Sequence, residues 1–158
     1  MHRFRRILCA LTACVLIGAC SSDAPPEKEP DSRAHTLAPL PSESADVLRA
    51  KLNAAGMQTE YAANFDGDRL QRIAEHRKQG DATVAAEYAF VGARLVEYRG
   101  PKVNAPEKLE LQFDVQGALV SGRGPNVSDE EIAAIRDRAQ LLRSHAVAQR
   151  ATRGHGQR

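Results

Sequence analysis

Three short segments of the sequence share one pattern, and this repeat constrains the fold more than any other feature. Each segment places an aromatic residue first, then a turn that contains glycine, and then a leucine; the segments span 65–70, 90–95 and 113–119. Their phenylalanines, Phe65, Phe90 and Phe113, are 25 and 23 residues apart. Glycine supplies the positive φ that tight hairpin turns need. The repeat therefore predicts three successive β-hairpins, an antiparallel meander of about six strands.

The flanking residues alternate as the strands of such a meander should. Leucine or phenylalanine occupies every second position from Leu109 to Phe113, and apolar residues alternate in the same way from Val84 to Phe90. This period of two is typical of strands with one buried and one solvated face. Leu70 and Ile73 differ in parity, so we expect a β-bulge or an early strand end near Arg72. Apart from Phe4, all aromatic residues fall in this region: Tyr61, Phe65, Tyr88, Phe90, Tyr98 and Phe113.

Two helices are predicted beside the meander. Ser128 and Glu131 have the spacing of a capping box, and the apolar residues that follow recur at intervals of three and four: Ile132, Ile135, Ala139, Leu142 and Ala146. A similar but shorter pattern begins at Ser44 and ends at Gly56, which predicts a short N-terminal helix. The expected fold is therefore α+β, with the sheet packed by a C-terminal amphipathic helix and this short helix.

The first 20 residues have the organisation of an export signal. Arg3, Arg5 and Arg6 precede an apolar run over 7–16, and small residues stand before Cys20. This run is too short to span a bilayer, because a spanning helix needs about 20 apolar residues.

The last four of these residues, Ile17-Gly18-Ala19-Cys20, resemble the lipobox of bacterial lipoproteins. The resemblance implies cleavage between Ala19 and Cys20 and a covalent diacylglycerol and acyl modification at Cys20, which would attach the protein to a lipid bilayer. Ser21 in place of aspartate implies transfer to the outer membrane, facing the periplasm, rather than retention at the inner membrane. No other cofactor is expected.

The remaining chain divides into three parts. Residues 20–41 contain the acylated cysteine and five prolines among polar residues, so we expect a disordered tether. A single α+β domain is expected over 42–150 and a basic flexible tail over 151–158. Because Cys9 and Cys14 would leave with the signal, the mature chain has no thiol for a disulfide or a cysteine metal site.

Charge is distributed unevenly along this mature chain. Removing the three signal arginines from the 22 basic residues leaves 19, against 20 acidic ones. From 132 to the end, however, six arginines stand with a single acid, Asp137. Three of them, Arg136, Arg143 and Arg150, recur every seven residues and therefore lie in a row beside the apolar stripe. One interpretation is a site for an anionic lipid, glycan or envelope protein; the other is that the arginines pack over the helix seam and pair with carboxylates such as Glu97 or Glu110.

Motifs for catalysis and metal binding are not found in the sequence. Asp66-Gly67-Asp68 lacks the further ligands of a calcium loop and is better explained as a hairpin turn. The histidines are scattered, and the carboxylates on the predicted wet face (Glu87, Glu97, Glu110 and Asp114) are more simply solvated than catalytic. We therefore predict no catalytic residue and no metal site, and an exported protein is not expected to bind nucleic acid.

These observations predict a membrane-anchored, periplasm-facing lipoprotein that acts as a non-enzymatic envelope binding module. Two other classes stay open. A carrier would hold a small apolar ligand between helix and sheet, and a periplasmic hydrolase, or an inhibitor of one, would use a concave surface site.

Overall fold

Seven strands and one helix follow each other along the described part of the chain. The computed structural model describes residues 38–54, 56–102, 107–124 and 126–155. The strands are β1 (Val47–Ala54), β2 (Met57–Asp66), β3 (Arg69–Gln79), β4 (Ala82–Val91), β5 (Arg94–Pro101), β6 (Lys108–Phe113) and β7 (Leu119–Arg123), and the helix is α1 (Asp129–His155). The predicted signal, Cys20, most of the tether and the last three residues lie outside the described residues.

The sheet is an antiparallel meander in which spatial order equals sequence order, from β1 to β7. The three predicted hairpins are confirmed as β2–β3, β4–β5 and β6–β7. They turn at Gly67, Gly92 and Gly117, whose φ angles are +59°, +63° and +88°. Because consecutive strands run in opposite directions, these three turns lie at one end of the sheet, which we call the hairpin-tip end. The chain enters β1 at the same end, where the Asp46 carbonyl accepts a hydrogen bond from the Phe65 amide at 2.8 Å.

The prediction of a short N-terminal helix is wrong, because its residues form β1. This strand pairs with β2 over its whole length, from Val47 opposite Asn64 to Ala54 opposite Met57. Leu48 and Leu52 are four residues apart, a spacing that fits one face of a helix and equally one face of a strand. The strand is formed rather than the helix because the edge of β2 provides backbone hydrogen-bond partners for it. Gly56, with φ +75°, turns the β1–β2 hairpin instead of ending a helix.

The irregularity predicted in the first hairpin is confirmed as a β-bulge. Asn64 pairs with Arg72, whereas the next residue, Phe65, pairs with Leu70, so one residue of β3 is unpaired. The bulge restores Leu70 and Ile73 to the same face, and both are buried. The strand does not end there but continues to Gln79.

The core lies between one face of the sheet and α1, which confirms the two-layer α+β arrangement. All six aromatic residues of the sheet are buried, as is the apolar stripe of the helix. Ala139, Leu142 and Ala146 are almost completely inaccessible, and their small or branched side chains let the helix approach the strands closely. The capping box is present: the Ser128 hydroxyl accepts from the Glu131 amide at 3.2 Å, and the Glu131 carboxylate accepts from the Ser128 amide at 3.0 Å.

The helix is longer than the predicted domain. It continues to His155, five residues past the boundary predicted at 150, so the first part of the predicted tail is helical. No helix in the described ranges combines the length and the hydropathy that a membrane span requires.

Candidate functional site: two polar rows on the helix

Two polar rows with the same spacing flank the apolar stripe of α1. The arginine row contains Arg136, Arg143 and Arg150, and the second row contains Glu131, Arg138 and His145. Seven residues make about two helical turns, so the members of each row lie above one another on one side of the helix. We call the second row the paired row, because each of its members meets a side chain outside the helix.

The centre of the paired row is a buried ion pair. Arg138 Nε and Nη2 donate to Glu75 Oε2 at 3.1 and 2.9 Å, and Nη2 also donates to the Thr59 hydroxyl. The other carboxylate oxygen of Glu75 accepts from the Tyr88 hydroxyl at 2.6 Å. Glu75 and Thr59 are only 1% and 0% exposed. This buried polar cluster of Thr59, Glu75, Tyr88 and Arg138 joins three strands to the helix, and only the Arg138 side chain, 11% exposed, reaches solvent.

Two tyrosines extend the cluster within the sheet. The ring centroids of Tyr88 and Tyr98 are 5.3 Å apart, and the Tyr98 hydroxyl donates to the Pro101 carbonyl at 2.7 Å. Tyr98 lies over Gly100, where a Cβ atom would come within 2.4 Å of the tyrosine hydroxyl. Burial holds the pKa of Tyr88 well above its ordinary value, and the neighbouring Glu75 charge acts in the same direction. Burial likewise raises the pKa of Tyr98.

The two ends of the paired row are also engaged. Glu131 lies 3.8 Å from Lys102 Nζ, which also donates to the Asn126 carbonyl at 3.1 Å. His145 Nδ1 is 2.7 Å from the Tyr61 hydroxyl, with the two rings edge to face. Burial raises the pKa of Tyr61 to about 12. All three positions of this row therefore act in holding the helix on the sheet.

The arginine row faces the hairpin-tip end and makes a different kind of contact. The Arg136 guanidinium lies 5.0 Å from the centroid of the Phe113 ring and donates to the Gly117 carbonyl. Arg150 lies 5.2 Å from the Phe65 ring and donates to the Gly67 carbonyl at 3.4 Å. Fourteen helical residues cover about 21 Å, and hairpins four strands apart are separated by about 19 Å. The seven-residue spacing thus keeps the arginines in step with the hairpins.

Arg143 differs from its two neighbours in the row. Its Nε atom is buried and has no hydrogen-bond partner among the described residues. Within the same residues, none of the three arginines forms an ion pair with a carboxylate, whereas Arg72, Arg99, Arg138 and Arg153 do. Of the two carboxylates considered above, Glu97 pairs with Arg99 at 2.6 Å, and Glu110 lies across the strands from Arg99 and Arg123. Arg136 and Arg150 therefore pack on aromatic rings, and none of the three arginines pairs with a carboxylate among the described residues.

The opposite face of the sheet carries charges of both signs in cross-strand pairs. Arg72 contacts Glu87 at 3.3 Å, and Lys51 contacts Glu60 at 2.9 Å. The hydrogen bond and the charge of Lys51 lower the pKa of the Glu60 carboxyl. Asp114, at the end of β6, accepts the Gln116 and Ala118 amides and so shapes the β6–β7 turn. Of the wet-face carboxylates named above, Glu87, Glu97 and Asp114 are thus engaged in separate local contacts.

A cavity of about 400 Å³ lies along β1 and β2. Its lining is mainly charged and consists of Glu43, Arg49, Ala50, Lys51, Glu60 and Tyr61. No group of three histidine, cysteine, aspartate or glutamate side chains close enough to bind a metal ion occurs in the part of the chain that the structure describes.

Comparisons with known proteins do not add a relative. No family model matches the chain, and neither a curated protein nor a solved structure matches it.

Proposed function

We propose that the protein is a lipoprotein anchored through Cys20, whose α+β domain recognises an anionic partner in the cell envelope without catalysing a reaction. The observation that carries the proposal is the arginine row: three arginines at one end of the domain have no carboxylate partner among the described residues. Unneutralised guanidinium groups in a row attract anions and favour bidentate contacts with phosphate or carboxylate.

The anchor rests on the sequence of the first 20 residues. The combination of arginines, an apolar run and Ile17-Gly18-Ala19-Cys20 is that of a lipoprotein signal, and Ser21 favours the outer membrane over the inner. One acyl chain alone binds a bilayer only marginally, so the two or three chains expected on Cys20 would give stable attachment.

A fatty-acid probe fed to the producing cells tests the anchor. The wild-type chain and Cys14→Ser should both incorporate the probe, because Cys14 is removed with the signal. Cys20→Ser should not be labelled. Persistent label on Cys20→Ser would show that the modification is elsewhere and would remove the lipoprotein assignment.

A binding role is favoured over catalysis by how the ionisable groups are used. Glu75, the most buried carboxylate, has both oxygens occupied by Arg138 and Tyr88. A carrier would need an apolar space between helix and sheet, but Ala139, Leu142 and Ala146 fill that contact. Neither a hydrolase nor a carrier gains a supporting observation of this kind.

Anion recognition is tested by retention of the purified protein on phosphocellulose under a salt gradient. Changing Arg136, Arg143 and Arg150 together to Gln should move elution to clearly lower salt. The matched control changes Arg49, Arg72 and Arg99 on the opposite sheet face to Gln, which removes the same charge but should shift elution less. Arg143→Gln alone removes one charge at a position whose Nε makes no hydrogen bond within the described residues, so a shift in its elution reports the loss of charge and not a change in folding. Equal shifts for both triple variants would contradict a specific role for the row.

A further inference from the structure

Of the seven exposed large apolar side chains among the described residues, four lie at or next to the hairpin tips; the others are Met57 at the opposite end and Leu141 and Val147 on α1. Val91 at the β4–β5 tip is 61% exposed and Val115 at the β6–β7 tip is 55% exposed. Leu119 and Val120, which begin β7, are 41% and 66% exposed. None of these four residues belongs to the hydrophobic core or to the partly buried residues packed against it.

The helix adds to the same surface. Val147, 39% exposed, lies four residues after Arg143 and three before Arg150, so it is their neighbour on the helix surface. Arg94 follows the β4–β5 turn and is exposed. Apolar tips and arginines thus occur together at this end, whereas the β2–β3 tip carries Asp66 and Asp68 and no large apolar residue.

Resting on the proposed function, we infer that the β4–β5 and β6–β7 tips dock onto an anionic bilayer, with Val91 and Val115 entering the interfacial region and the arginine row facing the lipid headgroups. Interfacial binding grows with buried apolar area and with attraction between basic residues and anionic lipids, and this surface supplies both. An anionic glycan or an acidic protein would use the arginines but would leave the exposed valines without a role.

The path of the chain also favours a bilayer as the occupant. The segment before β1 arrives at the hairpin-tip end, where the Ala45 carbonyl accepts a hydrogen bond from Arg150 and Asp46 contacts the β2–β3 hairpin. Seventeen residues separate Cys20 from the first described residue, Ala38. A tether of this length keeps the domain at a high effective concentration near its membrane, so weak individual contacts suffice for docking.

The test uses the full lipidated protein reconstituted in vesicles. Cys20 is acylated and is the only cysteine of the proposed mature chain, so an introduced cysteine gives a unique labelling site. An environment-sensitive fluorophore is placed at Ala93→Cys or Gln116→Cys, which keeps both valines, and at Asp81→Cys in the β3–β4 turn at the opposite end as the matched control. Vesicles are made of phosphatidylcholine alone or mixed with phosphatidylglycerol.

We expect a blue shift, and quenching by lipid-borne quenchers, at positions 93 and 116 but not at 81, and only with phosphatidylglycerol. Changing Val91 and Val115 to Ser, or the three arginines to Gln, should abolish the shift while the protein stays with the vesicles. The expected loss of docking equilibrium is about fivefold for each arginine removed.

Two results would overturn the inference. One is the absence of a shift at 93 and 116 in anionic vesicles; the other is a shift that requires an added glycan or protein fraction from the envelope. Both are distinguishable from failure of the proposed function, in which Cys20→Ser would still be labelled or the two triple arginine variants would shift elution equally.

Discussion

The two polar rows of α1 have the same spacing but differ in how they contact the sheet. The paired row contacts side chains outside the helix. These contacts are Glu131 with Lys102, Arg138 with Glu75, and His145 with Tyr61. The arginine row meets ring faces and turn carbonyls, and its middle member, Arg143, has a buried nitrogen without a partner. One row neutralises its charge inside the fold, and the other keeps its positive charge near the surface. The comparison separates positions that determine how the helix docks from positions available for recognition.

The largest effect is expected from breaking the buried ion pair. Arg138→Met should lower the free energy of unfolding by about 3–5 kcal/mol, because it leaves Glu75 buried without its cation. Urea unfolding followed by circular dichroism measures this loss. The double variant Glu75→Leu, Arg138→Met should recover much of it, since no charge is then left unpaired.

Arg99→Met is the matched control for that experiment. Arg99 also pairs with a carboxylate, Glu97, but its side chain is half exposed. Its loss should cost less than about 1 kcal/mol. If Arg99→Met and Arg138→Met lowered the free energy of unfolding equally, burial of the Arg138–Glu75 pair would not make it more important for stability than the exposed pair.

The tyrosines near the paired row should make the fold sensitive to alkali. Tyr61, Tyr88 and Tyr98 all have raised pKa values in the folded protein, so the folded state retains protons that the unfolded state releases. The stability contributed by these tyrosines should be constant below pH about 10, the ordinary tyrosine pKa, and should fall above it by up to about 4 kcal/mol per pH unit. The chain has three tyrosines and no tryptophan, so tyrosinate absorbance reports on these residues alone.

We expect tyrosinate absorbance and loss of helical circular dichroism to appear together as the pH rises. Tyr61→Phe should reduce the slope of the free energy of unfolding against pH, because one proton fewer is released on unfolding. Tyrosines that ionise near pH about 10 while the circular dichroism signal stays intact would contradict their burial.

Substitutions in the arginine row should change the free energy of unfolding in opposite directions, depending on the position. Arg136→Met and Arg150→Met should each lower the free energy of unfolding by about 1 kcal/mol, because each loses a cation–π contact and a hydrogen bond to a turn carbonyl. Arg143→Met should instead raise it by about 1 kcal/mol, since it removes a buried N–H without a partner. The midpoints of urea unfolding measure these changes. Equal losses of stability in all three variants would show that Arg143 is hydrogen-bonded like its neighbours.

The smallest effect concerns the exposed pair Lys51–Glu60, which serves as a reference for an ion pair outside the helix contact. Lys51→Met should raise the pKa of the Glu60 carboxyl towards its ordinary value, measurable by NMR titration. In the wild type the lowered pKa gives a contribution to stability that is present at neutral pH and lost as the pH falls through the folded-state pKa. If the Glu60 pKa were unchanged in Lys51→Met, its lowering would have to come from another neighbour.

The sequence was sufficient for the three hairpins and for the start of α1, because turn glycines and a capping box are local signals. It misled at β1, where Leu48 and Leu52 satisfy both periodicities and only the partner strand β2 decides. It also revealed one polar row and not the other. Thr59 and Glu75 occupy inward positions of their strands, and Glu131, Arg138 and His145 repeat every seven residues. These two signals together could have indicated the buried polar cluster, but pairing them needs the tertiary fold.

The sequential order of the strands has a consequence for the way this chain folds. Each strand pairs with the one made just before it, so the whole sheet can form by adding one hairpin partner at a time, with short loops to close. The helix follows the strands in the chain, yet it reaches back to the segment before β1 through Arg150 and Ala45, and to β1 itself through Arg153 and Arg49. Until the 27 residues of α1 are in place, the aromatic face of the sheet is open to water and to other chains. Docking of α1 is therefore the step that covers this face and completes the core.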